Sequence, residues 1–351
     1  MIKMRKTRQV RVGGVKIGGG APISIQSMTK VNTSDVKAVV TQVKSLEKAG
    51  CEIIRVAIKS LSDARAIRDI KSKINIPLVA DIHFNYRLAL ESIASGADKI
   101  RLNPGNIGKL DEVGQVVKAA KRAHIPIRIG VNSGSVLIGD DRMVSGKKLV
   151  EAATRYIKLF RELDFHDIII SLKASNVVTT IEAYRRMSEA CDYPLHLGVT
   201  ASGSYDSGVI KSAIGIGSLL ADGIGDTIRV SLTADPVEEV TAARRILSAV
   251  GARHFGPEVI SCPTCGRCQV DLGSIVRKLE DTLRSTVHHT RSTKAPLTIA
   301  VMGCEVNGPG EAKEADLGVA FGKNSGMIFK KGKKIKKVEV KHAIKELLKI
   351  I

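Results

Sequence analysis

Short runs of β-branched and other apolar residues recur eight times along the first two thirds of the chain, at residues 23–28, 51–58, 77–83, 99–103, 126–132, 167–173, 194–200 and 227–232. Each is followed by a segment whose apolar positions return with helical spacing, and that alternation of periods predicts strand then helix. Residues 34–49, stopped by Gly50, and 62–73 are examples, each opened by a serine suited to capping. Eight consecutive strand–helix units predict an α/β fold of the (β/α)8 TIM-barrel class.

After a last helix of this set at 236–250, the pattern breaks at Gly251-Ala252-Arg253-His254-Phe255-Gly256-Pro257, which reads as a linker. A second, shorter set of elements follows: a cysteine-bearing loop, a helix at 274–288, strands at 297–302 and 317–321, and a closing basic segment from Lys330. In that last segment lysines alternate with Ile, Val and Leu, as in a strand and terminal helix with solvated charged faces. The predicted organisation is a barrel domain at 1–250, a linker at 251–257 and a small α+β domain carrying the cysteine loop at 258–351. A length of 351 residues suffices for two cores of these sizes.

Charge changes the picture. The chain carries 55 Lys and Arg against 35 Asp and Glu, a formal +20, and so calls for an anionic partner. With no Trp, five Tyr and six Phe, it has little material for stacking single-stranded bases. Where the cations sit is more telling: Arg55, Arg101, Arg128 and Arg229 each lie between branched apolar residues inside a predicted strand, and Lys173 ends the sixth. A cation pointing into a packed interior costs several kcal/mol unless paired. An anion at the barrel mouth, where strand C-termini converge, supplies the pairing. Asp81, His83, Asn103, Asn132 and Ser231 belong to the same strand ends, and arginine forks match phosphate oxygens, so the expected ligand is small and polyphosphorylated. Asp81 and His83, two apart on one strand, share a face and suit substrate contact or acid–base work. The competing reading gives each arginine an acid on a neighbouring helix.

Four of the six cysteines fall in Cys262-Pro263-Thr264-Cys265-Gly266-Arg267-Cys268 and Gly303-Cys304-Glu305. The first run has the C-x2-C-x2-C spacing of ferredoxin-type clusters, with Cys304 the natural fourth thiolate. Zinc can use the same sulfurs, although Cys304 lacks a neighbouring cysteine. Cys51 and Cys191 stand alone and read as small apolar core residues. No apolar run reaches the length of a membrane span, and the basic N-terminus lacks a signal-peptide core, so a cytoplasmic, reducing setting is expected.

Taken together, Gln26-Ser27-Met28-Thr29, Ser261-Cys262-Pro263-Thr264-Cys265 and Asn307-Gly308-Pro309-Gly310-Glu311 resemble the bacterial 4-hydroxy-3-methylbut-2-enyl diphosphate synthase family of the non-mevalonate isoprenoid pathway. The resemblance covers nearly the whole chain. It implies a 4Fe-4S cluster held by Cys262, Cys265, Cys304 and Glu311, which leaves Cys268 a bystander and replaces the fourth thiolate with a carboxylate. It implies reductive ring opening of 2-C-methyl-D-erythritol 2,4-cyclodiphosphate, with electrons from flavodoxin or ferredoxin and loss of water. Arg55, Arg101, Arg128, Lys173, Arg229 and Ser231 then hold the diphosphate, and Asp81, His83, Asn103, Asn132 and Asn307 line the reacting end. Asp81, His83 and Glu311 are the catalytic candidates. A head-to-tail homodimer is implied, the cluster domain of one chain closing its partner's barrel mouth, with neither nucleic acid nor membrane as partner. One departure is visible: Gly198-Val199-Thr200-Ala201-Ser202-Gly203 carries Ala201 where the family has glutamate. Two other classes are distinguishable by assay. A zinc-bearing nucleic-acid binder predicts zinc and steep salt dependence, and an aldolase-like barrel predicts chemistry that survives loss of the cluster ligands.

Overall fold

A computed structural model describes residues 2–350, apart from 84, 104–109, 134–144, 201, 287–296, 305–309, 311 and 313–314. The chain separates into two compact units, Met1–Arg253 and His254–Ile351.

The first unit begins with a hairpin of β1 (Val10–Val12) and β2 (Val15–Ile17), which sequence periodicity did not single out. Gly13 takes φ +52° at its turn, and Val10, Val12 and Ile17 pack onto Ile53, Val79 and Ile169, closing the end of the barrel where strands begin. The barrel strands are β3 (Ser24–Met28), β4 (Ile53–Ile58), β5 (Leu78–Ile82), β6 (Lys99–Leu102), β7 (Ile127–Asn132), β8 (Ile168–Lys173), β9 (His196–Leu197) and β10 (Thr227–Ile228). They pair in parallel in the order β8-β7-β6-β5-β4-β3-β10-β9, and a parallel bridge between Ile170 and Leu195 joins the two ends. This is the predicted (β/α)8 barrel.

Its helices are α1 (Val36–Ala49), α2 (Leu61–Lys71), α3 (Tyr86–Ala94), α4 (Leu110–Ala123), α5 (Gly146–Glu162), α6 (Val177–Ala190), α7 (Tyr205–Ala221) and α8 (Pro236–Ala249). Side-chain caps set the starts of α1, α2, α3, α5, α6 and α8, though not always by the serine expected. Asp35, not Ser34, caps α1 by accepting from the Ala38 N–H at 3.0 Å, and α2 starts one residue early on a Ser60–Asp63 capping box. Gly50 ends α1 at φ +100°, a conformation that costs other residues strain. The seventh and eighth strands are shorter than their apolar runs. The ladder stops before Gly198 and Arg229, although Gly198, Val199, Val230 and Leu232 beyond it remain buried.

The second unit holds one five-stranded sheet, β11 (Glu258–Ser261), β12 (Thr298–Met302), β13 (Leu317–Phe321), β14 (Ser325–Lys330) and β15 (Lys333–Glu339), in that spatial order. The first three strands are parallel and the last two antiparallel. Alternation sorts the residues: Ile299, Val301, Val319 and Phe321 face a core shared with α9 (Leu272–Thr286) and the terminal helix Ala343–Leu348, while Ala300, Met302 and Ala320 face the other side. β15 sits at the sheet edge with its first five residues exposed, four of them lysine, a composition that discourages edge pairing. β11 and β14 were not marked by sequence periodicity. Among the described residues no helix is long and apolar enough to cross a membrane.

Candidate active site and cysteine cluster

Barrel strands expose alternate residues to the interior, so a residue two positions after an interior one also points inward. Register then brings the charged positions together: Asp81 lies opposite Arg101, Arg101 opposite Arg128, and Asn132 opposite Lys173. At the strand C-terminal ends these side chains surround a cavity of about 220 Å³. Its lining includes Arg55, Asp81, His83, Arg101, Arg128, Asn132, Lys173, Arg229 and Ser231, all singled out from sequence, together with Met28, Gly130, Ser171 and Thr200, which were not. Asn103 is buried just after β6 but is not part of that lining, and its Oδ1 has no hydrogen-bond partner among the described residues. Asn307, Glu311 and Ala201 lie outside the described residues.

Cations outnumber anions here. Asp81, 3% exposed, takes Arg101 at 3.1 Å, Arg55 at 3.6 Å and His83 Nε2 at 3.5 Å. Burial opposes its ionisation, but the guanidiniums of Arg55 and Arg101 win and hold it well below the usual carboxylate range. Arg229 pairs at 3.5 Å with Glu239 of α8, so the helix-borne acid weighed from sequence exists for this one arginine. Glu239 is itself shared with Lys30 at 3.1 Å. Among the described residues no carboxylate lies within ion-pair distance of Arg128 or Lys173. Arg128 is 1% exposed, and its Nε and Nη1 have no partner among the described residues. Burial, then the neighbouring guanidiniums, push both groups toward their neutral forms. A surplus of buried, under-partnered cations from β4, β6, β7, β8 and the segment after β10 is a site made for a polyanion.

Two glycines make room for it. A Cβ on Gly198 would stand 2.5 Å from Lys173 Nζ and 2.6 Å from the Arg229 carbonyl, and one on Gly130 would stand 2.7 Å from Arg101 Nε. One further cation escaped sequence reading. Lys99, fully buried, points inward two residues before Arg101, and its Nζ lies 3.3 Å from Gln26 Oε1. Its period-two relation to Arg101 was the signal. His196, also fully buried, has no partner at either ring nitrogen among the described residues.

In the second unit, Cys262 follows β11 and Cys304 follows β12, and these strands pair in parallel with Ser261 opposite Val301, so both thiols leave the same end of the sheet. Cys262, Cys265 and Cys268 form no disulfide among the described residues, and Cys265 is exposed. The Gly303 N–H donates to Cys262 Sγ at 3.4 Å, the kind of backbone bond that stabilises a thiolate ligand. Cys268 differs: its thiol donates to the Val270 carbonyl at 3.2 Å and packs against Gly303, where a Cβ would stand 2.4 Å from its sulfur. Among the described residues no three His, Cys, Asp or Glu side chains converge on a single ion. A multi-iron cluster spreads its ligands more widely, and cysteines on adjoining strand ends suit one. Cys51 is buried, its thiol pushed up to about 12 by desolvation, and Cys191 is half-buried, consistent with packing roles.

Comparison with known proteins covers both units. The profile of the GcpE TIM-barrel domain matches residues 7–244, and that of the GcpE protein C-terminal domain matches 258–351. A protein of Caldanaerobacter subterraneus subsp. tengcongensis named 4-hydroxy-3-methylbut-2-en-1-yl diphosphate synthase (flavodoxin) is 56% identical, covering 100% of this chain and 98% of that relative. Proteins of the same name from Thermodesulfovibrio yellowstonii and Clostridium perfringens are 53% and 55% identical, over 100% and 99% of this chain and 99% and 98% of theirs. Among solved structures, a Yersinia pestis dihydropteroate synthase with a sulfonamide drug is similar at TM-score 0.52 and 14% identity, over 70% of this chain and all of that one. That likeness is one of fold alone.

Proposed function

The chain belongs to the GcpE family, and on that premise we propose that it converts 2-C-methyl-D-erythritol 2,4-cyclodiphosphate to 4-hydroxy-3-methylbut-2-enyl diphosphate, as an oxidoreductase fed electrons by flavodoxin or ferredoxin. Two electrons and two protons enter, the ring carbon–oxygen bond to phosphate breaks, and one hydroxyl leaves as water. The observation that carries the reading is the cationic surplus at the barrel mouth, with Arg128 and Lys173 buried and facing no carboxylate among the described residues.

In this reading Arg55, Arg128, Lys173, Arg229 and Ser231 bind the diphosphate, and Asp81 holds Arg55 and Arg101 in place. Charge-assisted bonds of this kind fix the substrate's orientation as well as its affinity. His83 Nε2, 3.5 Å from Asp81 and 3.4 Å from Arg101, holds or releases a proton at the reacting end, beside Asn132 and Asn103. Cys262, Cys265, Cys304 and Glu311 hold a 4Fe-4S cluster, with Cys268 outside the ligand set. When bound, the cluster supplies electrons singly and a Lewis-acidic iron. The working assembly is a homodimer in the cytoplasm.

Iron and acid-labile sulfide on anaerobically purified protein, measured beside turnover of the cyclic diphosphate with a strong reductant, test this. Roughly four irons per chain with turnover is expected; zinc without turnover overturns it.

A further inference from the structure

The charge imbalance in the barrel has a thermodynamic outlet. Lys173 Nζ rests in the space left by Gly198, faces the cavity, and has no carboxylate within reach among the described residues. The groups facing it are cationic or neutral: Arg128 from β7, Arg101 from β6, Arg55 from β4 and Arg229 after β10, with His196 of β9 and Lys99 beneath. The nearby acids are already engaged, Asp81 by two arginines and His83, and Glu239 by Arg229 and Lys30. Guanidiniums keep their protons in proteins, whereas a buried ammonium surrenders its proton readily. Within the cavity the cost of crowding therefore falls on Lys173.

We propose that Lys173 is an uncharged amine in the ligand-free protein and takes up a proton when a cyclic diphosphate enters, so that binding consumes about one proton per site. The inference rests on the diphosphate reading of the cavity. The ligand's two negative charges replace the missing counter-ions, the amine becomes an ammonium, and the buffer acid supplies the proton. The cyclic diphosphate is a clean probe because each phosphate carries one ester and one anhydride link, leaving a single strongly acidic hydroxyl that stays ionised around neutrality. The linkage makes affinity fall as pH rises.

Calorimetric titration of the oxidised holoenzyme with the cyclic diphosphate, without reductant, at pH 7.5 in buffers of differing ionisation enthalpy reads the proton count from the slope. The expected result is uptake of about one proton in the wild type, and about one fewer in both Lys173→Arg, which cannot give up its charge, and Lys173→Met, which cannot gain one. Two variants guard against loss of fold in either. Uptake by His83 or His196 persists in both and overturns the assignment, as does loss of uptake in Lys99→Met with none lost at Lys173. Binding without any uptake overturns the inference and leaves the diphosphate reading standing. No binding by the wild type overturns the reading itself.

Discussion

Arg128→Met separates stability from function in a measurable way. Arg128 is 1% exposed, two of its guanidinium nitrogens have no partner among the described residues, and Arg101 lies opposite it on the neighbouring strand. Methionine fills similar volume with a flexible apolar chain. Replacing buried charge by well-packed apolar groups is often neutral or stabilising by about 1–4 kcal/mol, and an under-partnered cation belongs at the favourable end. For a unit of this size that gain raises the ligand-free melting temperature by roughly 2–4 °C per kcal/mol. The same change removes one or two charge-assisted bonds to the diphosphate, about 2–4 kcal/mol, or roughly 30- to 1,000-fold in Kd. Thermal melts with and without the cyclic diphosphate, beside calorimetric affinity, read both effects. Arg253, bonded to Glu52 at 2.7 Å, is the control: Arg253→Met removes the ion pair from a carboxylate only 12% exposed and lowers the melting temperature. An Arg128→Met protein that melts below wild type and binds as tightly refutes the reasoning.

Gly198→Ala forces a methyl to 2.5 Å from Lys173 Nζ and 2.6 Å from a backbone carbonyl that cannot step aside, so a loss of about 1–3 kcal/mol in denaturant titration and weaker diphosphate binding are expected. Lys99 and Lys173 are held below the ordinary lysine range by burial first and cationic neighbours second. Between their folded values and about 10.4 the unfolded chain therefore binds more protons, and ligand-free stability rises with pH across that window, by at most about 1.4 kcal/mol per pH unit for each group. Urea midpoints at pH 7, 8 and 9 check the sign. Serine at Cys262, Cys265 or Cys304 is expected to abolish bound iron and sulfide, while Cys268→Ser, whose thiol is tied to Val270, retains them in the same analysis. Reduction by an acidic flavodoxin should slow as ionic strength rises, in line with a net charge of +20, and stopped-flow rates at two salt concentrations test it.

Most of the barrel was legible because its strands are apolar on both faces and each ends in a turn and a helical stripe. The two strands whose ladders proved short, β9 and β10, have the same apolar runs as the others. Just beyond them Gly198 lies so close to Lys173 and the Arg229 carbonyl that a Cβ would collide with both, a contact between residues far apart in sequence. The hairpin β1–β2 escaped notice because three-residue strands carry too few alternations to stand out. At the site, the strand-embedded arginines were visible one by one, and Lys99 was missed because it opens its strand instead of lying within an apolar frame.

By itself the sequence determined the (β/α)8 barrel, the cysteine loops after it, the family, and which strand positions carry charge, since these depend on period, spacing and residue type along a single segment. Tertiary structure decided which charges meet. Asp81 serves Arg55 and Arg101, Glu239 reaches Arg229, and Arg128 and Lys173 face no carboxylate among the described residues. That partition sets which cations are free to hold an anion. It arises from strand register and from the space left by absent Cβ atoms at Gly130 and Gly198, and such distances between strands exist only once the barrel has closed.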